Sequence, residues 1–272
     1  MRLFPEFKHD DDRFHWKDFW KSETEPLDED GHGTSMLSTI MNIAPFADIV
    51  VARIAGVDDD LLRETAVTQR NLAKAIEWAV ICHEVDIISM SLGWEKSSDI
   101  ISDAILGVLK KRSRRLLFFA AASNFGAGTQ ELFPAKEKQV ISVRATCVSG
   151  RHLEINPALS DLDNTTVVGT LGDQVPAAQR GGTHIDQVLT GTSIATAIAA
   201  SIAAIVIGYI NANDHRGIWE ELRTLVGFER LMLRDGLSTL VSARKRFLTL
   251  EKFLGPEGVA RFEACLMNGA TA

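Results

Sequence analysis

The sequence predicts an α/β fold in which a mostly parallel central sheet carries helices on both faces. Short runs of β-branched and aromatic residues alternate with helical patterns of about ten residues or more, which is typical of βαβ units. The chain has 272 residues and is 46% hydrophobic, which is sufficient for one large core. It contains no evident internal repeat, linker or low-complexity tract, so we expect a single domain over residues 1–272.

The predicted elements follow one another along the chain. Residues 1–30 contain no strand-like apolar run, and a helix is expected from about Gly33-Thr34 to the stop at Ala44-Pro45. Five segments are predicted as strands: Asp48–Ile54, Asp86–Leu92, Leu116–Ala122, Val140–Ala145 and Thr165–Thr170. Further helices are predicted over Thr65–Cys82 and Ile100–Leu109, and a loop is predicted at Asp58–Asp60.

The longest apolar run follows Gly191-Thr192-Ser193 and ends near Ile210. It is shorter than the roughly 20 residues that a bilayer requires, and it contains polar residues such as Thr196. We therefore expect a buried central helix of a soluble domain. After it, residues 213–272 are predicted to form a helical segment without evident chemistry.

Ser193 lies at the start of this buried helix. A helix N-terminus has unpaired N–H groups and partial positive charge, which can stabilise the oxyanion that forms when a hydroxyl attacks a carbonyl. Thr192 or Ser193 could equally be an ordinary N-cap, so this motif alone does not identify an enzyme.

Two upstream residues favour the catalytic interpretation of Ser193 over the N-cap interpretation. His32 lies between two glycines at a predicted helix start, and Asn124 follows the apolar strand at Leu116–Ala122. Separately, they could be a capping or surface histidine and a turn residue. Together with Ser193, they are the parts that acyl transfer needs: a nucleophile, a general base and an amide donor for the oxyanion.

The composition argues against several other classes of function. The chain has 36 acidic and 29 basic residues, a net charge of −7, so we expect neither nucleic acid nor a membrane as partner. Its three cysteines form no metal-ligand or disulfide pattern, and we expect no metal and no cofactor. The N-terminus lacks an apolar stretch of signal-peptide length, which favours a cytoplasmic location.

Four segments, in this order, resemble the subtilisin-like serine proteases, or subtilases (peptidase family S8). They are Gly31-His32-Gly33-Thr34, Ile87-Ile88-Ser89-Met90-Ser91-Leu92-Gly93, Ala120-Ala121-Ala122-Ser123-Asn124-Phe125-Gly126 and Gly191-Thr192-Ser193-Ile194-Ala195-Thr196. Each motif is weak alone, but four in the family's order are specific. The resemblance covers residues 28–212.

The resemblance implies a subtilisin-like three-layer fold and a serine endopeptidase. His32 would be the catalytic base, Ser193 the nucleophile and Asn124 the oxyanion donor. The segment Ser91-Leu92-Gly93 would line the substrate cleft, where an extended polypeptide substrate pairs with the strand edge.

The sequence departs from the family in one place that affects catalysis. The family's catalytic Asp ends an apolar strand some thirty residues or more before the His, and no such strand precedes His32. Asp28 and Asp30 are close to His32, but we expect them to cap its helix. Since the strand with the Asp lies inside the family's sheet, its absence would expose the edges of neighbouring strands. An upstream segment lost from the sequence is one explanation, and a different use of residues 1–30 is the other.

Three functions are consistent with these sequence features. The first is a subtilisin-type endopeptidase, impaired or completed by a missing segment, and the second is a catalytically inactive subtilase fold that binds peptides or proteins. The third, another serine hydrolase, is weak because Ser193 lacks the Gly-x-Ser-x-Gly nucleophile elbow.

Overall fold

The computed structural model describes residues 13–63, 65–158, 166–180, 185–213, 220–234, 238–242 and 245–254, together with the single residues 260 and 264. Strands β1 to β10 are Phe14–Asp18, Ile49–Arg53, Ile87–Met90, Leu117–Ala121, Val140–Thr146, Thr166–Leu171, Val175–Ala178, Ile185–Leu189, Ser238–Ser242 and Lys245–Leu248. Helices α1 to α7 are His32–Ile43, Asp58–Arg63, Thr65–His83, Asp99–Lys111, Thr192–Ala212, Leu225–Phe228 and Glu251–Leu254. A π-helical turn spans Glu229–Arg234.

The main sheet has six strands in the order β3-β4-β5-β6-β10-β9. All neighbouring pairs are parallel except the β10–β9 hairpin, which is antiparallel. Strands β1 and β2 form a separate parallel pair, and β7 and β8 form a separate antiparallel pair. The predicted α/β class with a mostly parallel sheet is confirmed.

Alternating side chains of the main sheet build two cores on its opposite faces. In β4, Phe119 packs with α5 and α1, whereas Phe118 packs with α3 and α4. Every residue of β4 and β5 is buried, as is usual for parallel strands that are covered on both faces. Strand β4 is wholly apolar, whereas β5 also buries the polar residues Ser142, Arg144 and Thr146. The result is three layers, with helices above and below the sheet.

Helix α5 is long and apolar enough to cross a membrane by length and composition, but 72% of its most apolar window is buried inside the protein. It packs against α1 and against strands β3 to β6. This is the position of a core helix, as the sequence predicted.

The structure corrects three sequence predictions. The acidic segment at Asp58–Asp60 begins a short helix, because acidic residues in a first turn favour a helix N-terminus. The C-terminal segment is not purely helical: strands β9 and β10 join the main sheet beside β6. Within residues 1–30, Phe14–Asp18 does form a strand, and this strand ends in an aspartate.

The sheet is interrupted between β2 and β3. In the described part of the chain, β2 pairs only with β1 and β3 pairs only with β4. A cavity lies between the two strands, and its wall here includes Val51–Ile54 and Ser89. We refer to this part of the cavity as the strand gap.

Candidate active site

One cavity of about 450 Å³ reaches from the strand gap to the start of α5. Every site residue that the sequence singled out lies in its wall: His32, Ser91, Leu92, Gly93, Asn124 and Ser193. These residues come from four distant segments, and they meet because the carboxyl ends of β3 and β4 and the N-termini of α1 and α5 face the same edge of the sheet.

The wall has a serine half, made of residues at the ends of β3 and β4 and at the start of α5. There, the backbone N–H of Thr192 donates a 2.8 Å hydrogen bond to Asn124 Oδ1. This bond identifies Oδ1 as the acceptor end of the amide, and Nδ2 donates to no other group among the described residues. Gly191 permits the close approach, because a Cβ at this position would lie 3.2 Å from Asn124 Nδ2.

Ser91 connects the end of β3 to the same helix start. Its hydroxyl donates a 2.9 Å hydrogen bond to the carbonyl oxygen of Ser193. A bridge between Trp94 and Phe133, with two 2.8 Å backbone hydrogen bonds, holds the chain just beyond Gly93. Leu92 and Gly93 thus lie between two anchored points and form a stretch of the cavity wall next to Ser193.

The wall also has a histidine half, made of β1, β2 and α1. Helix α1 begins at His32, and the carboxylate of Asp28 caps it by accepting hydrogen bonds from the N–H groups of Gly31 and Thr34 at 2.8 and 2.7 Å. The Thr34 hydroxyl donates a third bond of 2.7 Å. The expected capping role of Asp28 is therefore observed, although Asp28 lies outside the helix and Gly31 is the N-cap residue.

Two opposing effects act on the pKa of Asp28. Partial burial raises it, but the hydrogen bonds from the Thr34 hydroxyl and from the backbone N–H groups of Gly31, Thr34 and Asp30 together outweigh burial. The pKa of Asp28 thus lies below its ordinary value of 3.8, and the carboxylate is charged at neutral pH. A negative charge at a helix N-terminus also stabilises the helix dipole.

Gly31 has a backbone that other residues rarely adopt. Its φ is +101°, and a Cβ there would lie 2.9 Å from the Cβ of Arg180. A glycine before His32 is therefore required both by the turn and by the neighbouring segment.

Asp18 ends strand β1, yet it lies away from the cavity wall. Its buried carboxylate accepts hydrogen bonds from the N–H groups of Trp20 and Glu23 and pairs with Arg53 Nη1 at 3.1 Å. Arg53 also pairs with Glu29. This network joins β1, β2 and the loop before α1, and neither sequence pattern nor resemblance indicated it. The one feature of the sequence that could have indicated this network is Arg53, an arginine at the end of an apolar strand.

His32 and Ser193 line the same cavity without a hydrogen bond between them. Among the described residues, no carboxylate bonds the imidazole of His32, and the Ser193 hydroxyl has no hydrogen-bond partner. The Thr192 hydroxyl is also buried without a partner. In the same described residues, no group of three or more His, Cys, Asp or Glu is arranged to hold a metal ion.

Comparison with protein families gives a match to the model of the subtilase family over residues 3–227. The chain is similar to subtilisin-like protease het-Q2 of Podospora anserina, at 27% identity over 78% of this chain and 61% of that protein. It is also similar to the major intracellular serine protease of Bacillus subtilis, at 27% identity over 71% of this chain and 60% of that protein. The chain thus spans less than two thirds of the length of these curated relatives.

Solved structures support the same fold. The self-cleaved protease domain of PatA superposes with a TM-score of 0.67 at 21% identity, over 94% of this chain and 90% of that one. A cold-adapted subtilisin-like serine proteinase also superposes with a TM-score of 0.67. The two chains are 22% identical, and the superposition covers 87% of this chain and 81% of that one.

Proposed function

The chain belongs to the subtilase family, and from that membership we propose that it is a serine endopeptidase in which Ser193 is the nucleophile and His32 the general base. The observation that carries the proposal is the meeting of four distant sequence segments at one cavity. A shared cavity with a hydroxyl, an imidazole and an amide donor contains the groups that peptide-bond hydrolysis requires.

The proposed reaction begins at the start of α5. Ser193 Oγ attacks the carbonyl carbon of the scissile bond, and its proton passes to the imidazole of His32. The carbonyl oxygen becomes negatively charged, and Asn124 Nδ2 and the N–H of Ser193 donate to it. The carbon–nitrogen bond then breaks, and His32 returns the proton to the leaving amine.

The second half of the reaction releases the acyl group. His32 removes a proton from a water molecule, and the resulting hydroxide attacks the acyl carbon. The ester bond to Ser193 breaks, the serine regains its proton from His32, and a carboxylate product leaves.

The stretch Ser91–Gly93 is the proposed binding edge for a polypeptide substrate. A peptide in extended conformation pairs its backbone with such a stretch, so binding depends on the main chain more than on one side chain. The position of this stretch beside Ser193 brings a paired peptide close to the nucleophile.

Among the described residues His32 has no carboxylate partner, and from this we expect reduced activity. In a triad, the carboxylate selects the tautomer of the histidine and stabilises its charged form. In subtilisin, loss of the aspartate alone lowers kcat by about 3 × 10⁴. The alternative proposal, a catalytically inactive subtilase fold that binds peptides, rests on this same missing partner.

Covalent labelling of the serine separates the two proposals. A fluorophosphonate probe bonds to an activated serine, so the endopeptidase proposal predicts labelling that is lost in Ser193→Ala and in His32→Ala. Ser97→Ala, at an exposed serine outside the cavity wall, is the matched control and should label like the unmodified chain. Folded protein that takes up no probe over long incubation would contradict the endopeptidase and favour the binding module.

A further inference from the structure

We infer that strand β9, the outer strand of the main sheet, is the interface through which two copies of this chain associate. The two copies of β9 pair antiparallel about a two-fold axis at Leu240, so that two six-stranded sheets become one continuous sheet. The inference does not rest on the proposed function, because β9 contributes no residue to the cavity wall.

The first observation is that β9 ends the main sheet. It pairs with β10 on one side, and no strand pairs with its other side in the described part of the chain. The outer edge of such a strand presents unpaired backbone N–H and carbonyl groups, which are a template for another strand. Strand addition at a sheet edge is one of the recurring ways in which proteins bind one another.

The second observation is that side chains on both faces of β9 are exposed. Leu240 is 59% exposed, and its neighbour Val241 is 42% exposed. Because consecutive residues of a strand point to opposite faces, these two apolar side chains lie on opposite faces of the sheet. A strand added at this edge covers part of both, which removes apolar surface from water.

The third observation is that β9 lacks the features that keep other sheet edges from pairing. The two small sheets of this protein have such features in their outer strands: Lys17 in β1, Pro176 in β7 and Asp186 in β8. Charged residues and proline discourage the addition of a strand. Strand β9, with the sequence Ser-Thr-Leu-Val-Ser, contains neither a charged residue nor a proline.

The fourth observation is that the sequence of β9 is complementary to a second copy of itself. In an antiparallel pair centred on Leu240, this leucine lies opposite its own copy, Thr239 lies opposite Val241, and Ser238 lies opposite Ser242. Cross-strand neighbours of similar shape or polarity stabilise antiparallel pairs, whereas like charges directly opposite one another destabilise them. Since this register contains no charge, a second copy is the partner that the strand fits.

The size of this interface predicts a weak and reversible dimer. It consists of five residues from each copy, fewer than the roughly 20 to 30 residues a side of a standard interface. We therefore expect a dissociation constant on the order of 100 µM. The assembly closes at two copies, because pairing uses the open edge of each sheet. Strand β9 lies four positions from β4, about 19 Å along the sheet, so the two cavities stay apart from the interface.

Analytical ultracentrifugation of the full chain tests the interface. The sedimentation coefficient should rise with protein concentration from that of a monomer to that of a dimer. Leu240→Lys places like charges opposite each other in this register and should weaken association by about tenfold or more. The matched control Leu106→Lys, at a leucine of α4 that is 47% exposed, should associate like the unmodified chain. Both leucines are exposed, so neither variant should have a lower unfolding midpoint.

Cross-linking tests the register without introducing a charge. In a chain whose Cys82, Cys147 and Cys265 are replaced by serine, Leu240→Cys places a thiol beside its own copy across the two-fold axis. Proximity raises the effective concentration of the two thiols, so a short bismaleimide should join two copies at least about tenfold faster there than in Leu106→Cys.

Several results would overturn this interface. A chain that stays monomeric at about ten times the expected dissociation constant would mean that another segment or another protein covers β9. Equal association of Leu240→Lys and Leu106→Lys, or equal cross-linking of the two cysteine variants, would place the contact elsewhere on the surface. Assemblies that grow beyond two copies would show that the contact is not a closed two-fold pair.

Discussion

The serine half and the histidine half of the cavity differ in how completely the fold supports them. The serine half rests on β4 and β5, which are buried throughout, and Asn124 is fixed there by the N–H of Thr192. The histidine half rests on a two-stranded sheet that ends at the strand gap. The proposed oxyanion donor, Asn124, is thus held by a hydrogen bond, whereas the proposed general base, His32, has no carboxylate partner among the described residues.

The largest effect should come from removing the proposed oxyanion donor. Asn124→Asp keeps an oxygen that can accept from Thr192 but replaces Nδ2 with a second oxygen. We expect the rate of fluorophosphonate labelling to fall by about 10² to 10³, with little change in the unfolding midpoint. The control is Asn213→Ala, at the distant end of α5. A loss of labelling of less than about threefold would contradict the role of Asn124.

The next largest effect is expected on the free energy of unfolding, when valine is replaced by alanine in each of the two halves. Val143 in β5 is fully buried, whereas Val51 in β2 is half-buried and lines the cavity. Val143→Ala should lower the free energy of unfolding by about 2–3 kcal/mol, because it removes buried methyl groups and leaves a void. Val51→Ala should cost less than about 1 kcal/mol, as measured by urea denaturation. Equal losses would mean that the two halves are packed alike.

The smallest effect concerns the cap of α1. Asp28→Ala should lower the free energy of unfolding by about 1 kcal/mol, because three donors at the helix start lose their acceptor. Asp28→Asn keeps an acceptor oxygen but removes the charge, so it should retain part of this stability.

The same carboxylate predicts a pH dependence. The pKa of Asp28 in the folded protein is below its ordinary value. The charged carboxylate therefore contributes its full stabilisation at every pH above the unfolded-state pKa near 3.8. That stability is lost as pH falls through the still lower folded-state pKa. Urea midpoints should therefore converge for the unmodified chain and Asp28→Asn at the acid end of a titration. A difference that is unchanged at low pH would contradict this assignment.

Much of the fold could be predicted because its strongest signals are local. The apolar strands β2 to β6 and the helices α1, α3, α4 and α5 have clear periodicity, and their predicted bounds differ from the observed ones by only a few residues. The missed elements are short and polar. In β1, for example, His15 and Lys17 alternate with Phe14 and Trp16, and the strand forms through pairing with β2.

The residues of the candidate site could be proposed from the sequence, but the contacts that position them could not. Motif order pointed to His32, Asn124 and Ser193, and all three line one cavity. The orientation of Asn124 by Thr192, and the use of Asp18 by Arg53, depend on contacts between segments that lie far apart in sequence. The interruption between β2 and β3 was anticipated only in part, through the expectation that a missing strand exposes its neighbours.

Hydrogen exchange of backbone amides tests the contrast between the two halves most directly. If the sheet is interrupted, amides of β4 and β5 will exchange only through global unfolding, while some amides of β2 and β3 will exchange orders of magnitude faster. Slow exchange throughout β2 and β3, equal to that of β4 and β5, would show that the facing edges are already paired. That result would contradict both the strand gap and the incomplete histidine half.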